Sequence, residues 1–231
     1  DFLCNNIKIE NKIFIEFGVE DYKESNTRFL LLKNNWQGLI LDSSQENIDK
    51  IKKDNIYWRY TINAQKKFVT KENINDIIIE NKIDKNIGLL SIDIDGNDYW
   101  IWKELSVINP SIVIIEYNYR FGKDKSCTVP YDPNFVREKK HSSSIYYGAS
   151  LKALTKLGKE KGYSLVCCNS NGNNAFFVRN DLLNNFIKEA SIELAFKNGK
   201  FRESRDENGN LLFLNNKQEN KIINELPVEE V

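Results

Sequence analysis

The sequence predicts an α/β fold: a mostly parallel seven-stranded sheet with helices on both faces and an antiparallel C-terminal hairpin. Three observations carry this. Short apolar runs bounded by turn residues recur along the chain, as expected of strands buried on both faces. Segments with helical spacing alternate with them, the pattern of β/α units. The last two β-like runs are joined by Asn169-Ser170-Asn171-Gly172-Asn173, a turn that favours a hairpin.

Taken in order, Ile13–Phe17 is the first strand, and Ser25-Asn26-Thr27 caps a helix running to about Asn34. Gly38–Asp42 is the second strand and Ser44–Lys53 the next helix. Ile56–Tyr60 reads as the third strand. Lys71–Asn81 is helical, with Ile74, Ile77 and Ile78 as its buried stripe. Gly88–Asp93 is the fourth strand, and the Asp98–Leu105 helix stops before Asn109-Pro110. Ser111–Tyr117 is the fifth strand. Asn118–Tyr147 is a long connection carrying Gly122, Pro130 and Pro133, and connections of this length are commonly functional or mobile. Ala149–Lys161 is a helix with Leu151, Leu154 and Leu157 on one side, ended by Gly162. Tyr163–Cys168 and Asn174–Arg179 form the hairpin. The tail from Asp181 starts helical and becomes polar, with a turn at Asn208-Gly209-Asn210. The simplest parse is one domain over 1–187, with a lid-like loop at about 118–147, and a C-terminal extension over 188–231. The chain begins at Asp1 without a Met, so a preceding segment is expected to be missing.

Composition narrows the function classes. With 33 basic and 33 acidic residues, the chain lacks the basic field that phosphate-backbone binding needs, so no nucleic-acid partner is expected. No apolar stretch approaches the roughly 20 residues of a bilayer span, so no membrane partner is expected. The four cysteines form no C-x-x-C pair, and reduced thiols in a cytoplasmic protein are the expectation.

Four of the apolar runs end in a carboxylate: Glu16, Asp42, Asp93 and Glu116. In an open parallel sheet ligands bind outside the carboxyl ends of the strands, so these acids mark a functional rim. The turn after the first strand, Gly18-Val19-Glu20-Asp21, has one glycine and two acids where a dinucleotide fingerprint needs three glycines. A carboxylate such as Asp42, at the end of the second strand, suits ribose hydroxyls; a helix N-cap is the other reading. Gly18 with Asp42 describes a pocket for a nucleoside without a pyrophosphate. S-adenosylmethionine fits, because its cationic groups tolerate Glu16 and Glu20.

The strand order, the E-x-G turn, the acid after the second strand and the terminal hairpin resemble class I S-adenosylmethionine-dependent methyltransferases. The closer resemblance is to the FkbM-like branch or a bacterial relative of it. It rests on Phe14-Ile15-Glu16-Phe17-Gly18-Val19-Glu20-Asp21-Tyr22, on Ser91-Ile92-Asp93-Ile94-Asp95-Gly96-Asn97-Asp98-Tyr99-Trp100 and on Asn173-Asn174-Ala175-Phe176-Phe177-Val178-Arg179, and covers about Lys12 to Asp181. It implies a Rossmann-like methyltransferase fold. It also implies methylation of a small-molecule acceptor, a sugar or nucleotide-sugar of surface polysaccharide or secondary metabolism, with S-adenosylhomocysteine as product. By position, Glu16, Gly18, Asp42, Ser43 and Asp93 belong to the cofactor side. Asn26 belongs there too, because the helix cap would hold the cofactor's carboxylate. The acid that often follows the third strand is absent; Asn63 stands near and is assigned to the adenine edge.

Asp93, Asp95, Asn97 and Asp98 crowd the end of the fourth strand, where like charges shift one another's pKa or recruit a cation. Asp95, Glu116 and Asn118 offer oxygen ligands that suit Mg²⁺. The metal-free alternative is that Asp93 or Asp95 binds the cofactor's amine. His141, the only histidine, and Asp95 are the candidate bases. An incidental surface position is the other reading of His141. Asn97, Tyr117, Asn118, Arg120 and Tyr146 are assigned to the acceptor, aromatic rings for stacking and Arg120 for an acidic or phosphorylated group. Ordinary packing of a large lid is the alternative. Two other functions stay open: a non-catalytic nucleotide-binding or scaffold module, and a metal-dependent hydrolase. A homodimer is compatible with all of them.

Overall fold

The computed structural model describes residues 1–200 and 203–231. The chain falls into two compact units. The first comprises Asp1–Ile94, Glu104–Ile114 and Val178–Lys188; the second comprises Asp95–Lys103, Ile115–Phe177 and Glu189–Val231.

The first unit opens with α1 (Phe2–Asn6), β1 (Ile13–Phe17), α2 (Arg28–Asn34), β2 (Gln37–Asp42) and α3 (Gln45–Lys53). It continues through α4 (Asn55–Arg59), β3 (Ile62–Lys66), α5 (Ile74–Glu80) and β4 (Leu89–Ile92). β1 runs parallel to β2 and β4, and β2 runs parallel to β3. Phe14, Ile15, Leu39, Ile40, Leu41 and Leu90 are all buried, so consecutive residues of the central strands face apolar surroundings on both sides. Ser44 caps α3 by accepting from Asn47 N, and Ile48 and Ile51 turn inward from it.

The segment Ile56–Tyr60, expected as the third strand, is the helix α4, and the strand lies one segment later. The cause is Asp54, whose carboxylate accepts from Ile56 N at 3.0 Å and starts a helix at Asn55. Ile56 is the only buried residue of that helix, whereas Ile62 and Ala64 are buried in alternation along β3.

The chain then forms α6 (Asp98–Glu104), β5 (Ile112–Glu116), β6 (Cys127–Thr128), α7 (Arg137–Lys140) and α8 (Leu151–Glu160). It ends with β7 (Tyr163–Cys168), β8 (Asn174–Arg179), α9 (Ile192–Ala195), α10 (Asn216–Glu225) and β9 (Glu229–Glu230). The main sheet has seven strands in the order β3-β2-β1-β4-β5-β8-β7, the doubly wound order with a hairpin at one edge, as the sequence predicts.

Within the second unit, Trp102 of α6 packs against the rings of Phe177 and Tyr163, at centroid distances of 4.9 and 6.1 Å. Gly158 of α8 permits this, since a Cβ there would stand 3.0 Å from Phe177 and 3.1 Å from Trp102. The long connection after β5 is built rather than loose. Phe121, Cys127, Val129, Phe135, Ile145, Tyr146 and Tyr147 form an apolar cluster completed by Ile223 of α10, with Ile222 and Leu226 against it. The polar tail thus contains a packed helix. It begins with a capping box in which the Asn215 side chain and Gln218 satisfy each other's backbone N–H groups. β9 then pairs antiparallel with β6. Among the described residues no helix is long and apolar enough to cross a membrane.

Candidate functional site

The cofactor-side candidates belong to the first unit. The chain leaves β1 at Gly18 with φ +69°, and a Cβ there would stand 1.6 Å from the Asp93 carbonyl oxygen. Only glycine allows this turn to pass so close to the end of β4. Glu16 pairs in register with Ser91 of β4, which places both side chains on one face. Ser91 Oγ donates to Glu16 Oε1 at 3.2 Å and Asn26 N donates to the same oxygen at 2.8 Å. Thr27 donates to Oε2 through both its backbone N–H, at 3.2 Å, and its hydroxyl. Glu16 therefore ties the start of α2 to the end of β1, which corrects its assignment as a cofactor ligand: both oxygens are occupied. Burial pushes its pKa up, and the hydrogen bonds from Thr27, Asn26 and Ser91 oppose that.

The helix cap is spent in the same way. Asn26 gives its N–H to Glu16 and its amide Nδ2 to Ser91 Oγ at 3.0 Å, and Arg28 N goes to Ser25 Oγ at 3.2 Å. The expected carboxylate site at this helix start is filled by Glu16 itself.

Asp42 closes β2 and is 7% exposed. Its Oδ1 accepts from Ser44 N at 2.8 Å and from Asn47 Nδ2 at 3.1 Å, and its Oδ2 accepts from Glu20 N at 2.8 Å. The carboxylate thus fixes the turn after β1 and the entry to α3 together. Among the described residues Oδ2 carries a single bond, and a carboxylate oxygen accepts two, which leaves acceptor capacity for a hydroxyl donor. This donor chemistry fits the ribose of a nucleoside. Ser43 beside it is exposed, and Asp93, just past β4, is half-buried.

Asn63 departs from expectation. With β3 at Ile62–Lys66, Asn63 pairs with Leu39, while Lys66 pairs with Asp42. That places Asn63 about 10 Å back along the strand from the rim, where its Nδ2 donates to Asn81 Oδ1 at 3.0 Å. The misplaced strand misplaced the residue.

The acceptor-side candidates belong to the second unit. Asp95 is exposed and has φ +57°, a left-handed backbone that Asp tolerates better than most residues. Arg137 Nη1 lies 2.6 Å from Asp95 Oδ1 and its Nη2 2.7 Å from Glu203 Oε1. Its Nε donates to the Ser144 carbonyl, and the guanidinium stacks 3.9 Å from the Tyr147 ring centroid. Glu116 ends β5, and a carboxylate oxygen of Glu116 comes within 4.8 Å of one of Asp95. Tyr147 is pushed far above its ordinary pKa by burial first, then by Glu116 and Glu203.

Several assigned residues turn out to be internal. Asn118 gives Nδ2 to the Ile145 and Tyr147 carbonyls at 2.9 and 3.1 Å, and its Oδ1 accepts from Arg120 N at 3.2 Å. That amide is fully committed and is withdrawn as a metal ligand and substrate contact. Of the three expected metal ligands, Asp95 and Glu116 keep their carboxylates close together, with Arg137 beside Asp95. Arg120, expected on an anionic substrate, has a wholly buried side chain bound to Glu219 at 2.9 Å and Glu203 at 3.2 Å. Tyr119 joins this group through its hydroxyl, 3.1 Å from Glu219 Oε2, and burial pushes its pKa up to about 12. Tyr117 donates to Lys197 O at 2.7 Å, Tyr146 to Pro227 O, and Asn97 Nδ2 to Asp132 O at 2.7 Å. These three anchor the connection and the tail rather than offering open polar groups.

His141 is partly exposed, but Ser143 N donates to its Nδ1 at 3.2 Å, with Ser143 Oγ 2.6 Å away. Nδ1 is thus engaged within its own turn. Sequence reasoning missed Arg137, Glu203 and Glu219. The signal for the last was the Asn215-x-x-Gln218 capping box ahead of Ile222, Ile223 and Leu226; nothing local marks the other two.

A family model described as "Methyltransferase FkbM domain" matches residues 2–165. No curated protein matches the chain. Among solved structures, the chain is similar to the N-terminal domain of EvdMO1 with SAH bound. The identity is 10%, with a TM-score of 0.47, over 77% of this chain and 75% of that one. It is also similar to TrmK of M. capricolum in complex with S-adenosyl-homocysteine, at 14% identity and a TM-score of 0.47, over 84% and 73%. For the O-methyltransferase from Bacillus cereus in complex with SAH the values are 17% and 0.44, over 76% and 77%.

Proposed function

The chain belongs to the methyltransferase FkbM domain family, and on that premise we propose that it moves a methyl group from S-adenosylmethionine to a hydroxyl of a small sugar-like acceptor. The observation that carries this reading is Asp42. It is a buried carboxylate at the end of β2, held by Glu20 N and Ser44 N, with acceptor capacity left on Oδ2. Bound cofactor supplies an activated methyl on a sulfonium.

What the chain's own residues do is hold and orient. Asp42 receives the ribose hydroxyls, and Gly18 keeps the turn after β1 close to β4. Asp95, oriented by Arg137, accepts the proton of the attacking hydroxyl. Most of the acceleration comes from positioning the acceptor oxygen, since a well-oriented pair gains several orders of magnitude in effective concentration. The four cysteines are free thiols, which suits a reducing cytoplasmic setting.

The test is incubation of the full chain with methyl-labelled S-adenosylmethionine and a panel of monosaccharides and nucleotide-sugars. Label transferred to an O-methyl sugar supports the reading. Label transferred only to amines, or to none of the panel by a chain that binds the cofactor, removes the sugar hydroxyl as acceptor.

A further inference from the structure

The hairpin strand β8 brings one more polar side chain to the second unit's rim. β5 and β8 are neighbours in the sheet. Tyr117 N donates to Asn173 O at 2.7 Å, and at the far end Arg179 N donates to Ser111 O at 3.1 Å. Both bonds describe one antiparallel register, and in it Glu116 stands opposite Asn174. The pair falls between ladder hydrogen bonds, where facing side chains share a face and approach most closely. Asn174 is 7% exposed, and its Oδ1 is buried with no hydrogen-bond partner among the described residues. Its backbone is fixed on both sides, N donating to Asn169 Oδ1 at 3.1 Å and O accepting from Asn169 N at 2.9 Å. A buried amide oxygen left unpaired is costly, and such groups are rare without a reason.

We propose that Asn174 is an acceptor-binding residue whose Oδ1 receives a hydrogen bond from an uncharged hydroxyl of the methyl acceptor, beside Glu116. The inference rests on the methyltransferase reading and adds the chemical class that this subsite takes. Its surroundings select that class. Glu116 and Asp95 are acceptors only. Arg137 is already countered by Asp95 and Glu203 and gives its Nε to Ser144 O. A phosphate or carboxylate would meet the like charge of two neighbouring carboxylates, whereas a polyol brings uncharged hydroxyl donors to acceptors. An Asp at this position would add a third negative charge; Asn accepts without it.

The test uses the full chain saturated with S-adenosylhomocysteine and two probes, methyl α-D-mannopyranoside and its fully O-methylated counterpart. The side-chain amide resonances of Asn174, assigned by their loss in Asn174→Leu, are followed by NMR. The free glycoside is expected to shift them and the O-methylated one is not. Asn174→Leu, which removes the unpaired oxygen at similar volume, is expected to melt no lower than the parent and to bind the free glycoside about ten-fold more weakly. Asn174→Ala is expected to weaken binding equally, should the Leu side chain not fit. Affinity for S-adenosylhomocysteine is expected to stay within about two-fold in both variants.

Resonances that respond to both probes alike, or to neither, overturn the proposal. So does a variant that is destabilised yet binds the glycoside unchanged, because the oxygen is then structural. A parent chain that fails to bind S-adenosylhomocysteine at all counts against the methyltransferase reading itself, a separate outcome.

Discussion

Arg137 Nη1 lies 2.6 Å from Asp95 Oδ1, and the same guanidinium stacks on Tyr147 and reaches Glu203. A residue of the long connection, backed by the C-terminal tail, thus sets the direction of the carboxylate proposed to meet the acceptor. Lysine cannot reproduce a planar fork that serves three partners and stacks. Arg137→Lys is expected to lower turnover about ten-fold or more while affinity for S-adenosylhomocysteine stays within about two-fold. Single-turnover rates and calorimetry check this, and unchanged turnover would leave Arg137 with packing alone.

Asp95→Asn keeps the shape and removes the base. Turnover is expected to be abolished and cofactor affinity nearly kept. Equal loss of both would instead make Asp95 a ligand of the cofactor.

Arg120 and Glu219 form a buried pair that fastens α10 beneath the connection after β5. Removing Glu219 leaves the buried guanidinium with the partly exposed Glu203 alone, so Glu219→Ala is expected to cost about 3 kcal/mol. Replacing both, as Arg120→Met with Glu219→Leu, is expected to cost far less. Urea denaturation of the three variants distinguishes the pair from a dispensable surface contact, for which Glu219→Ala would cost under about 1 kcal/mol.

Gly18→Ala adds a Cβ at φ +69° and 1.6 Å from the Asp93 carbonyl oxygen. The turn after β1 has to open, so loss of cofactor binding with a lowered melting temperature is expected. An alanine variant with parental affinity would mean that this turn does not shape the pocket.

Glu16 carries a pH signature. Its folded pKa lies above the ordinary carboxylate value, with burial the leading cause. Between the two values the folded protein retains a proton that the unfolded chain has released, so this group's contribution falls as pH rises through that window. Glu16→Gln removes the titration. Stability measured from pH 4 upward is expected to decline less steeply in the variant, and parallel curves would show that Glu16 does not titrate differently in the two states.

The strands were legible wherever apolar runs met turn residues. β1, β2, β4, β5, β7 and β8 lie within a residue or so of their predicted limits. The third strand was not, because Ile56-Tyr57-Trp58 has strand composition while the competing signal, an Asp54 cap, looks like any other acid in a polar stretch. Asn63 was misplaced with it. The sequence placed Asp42 at the end of its strand and Asp95 just past β4, but not what holds them. Asp95 is held by Arg137, which Glu203 holds in turn, and no local pattern records contacts of such separation. Tyr117, Asn118, Arg120 and Tyr146 had the right chemistry for a ligand, and tertiary contacts consumed it.

The most direct measurement is calorimetric titration of S-adenosylhomocysteine into the full chain and into Asp42→Ala. One site per chain is expected for the parent, with at least a ten-fold loss in the variant, since a carboxylate that accepts ribose hydroxyls makes charge-assisted bonds. A parent that binds no S-adenosylhomocysteine, or an Asp42→Ala variant that is folded and binds it as tightly as the parent, would contradict the proposed cofactor pocket.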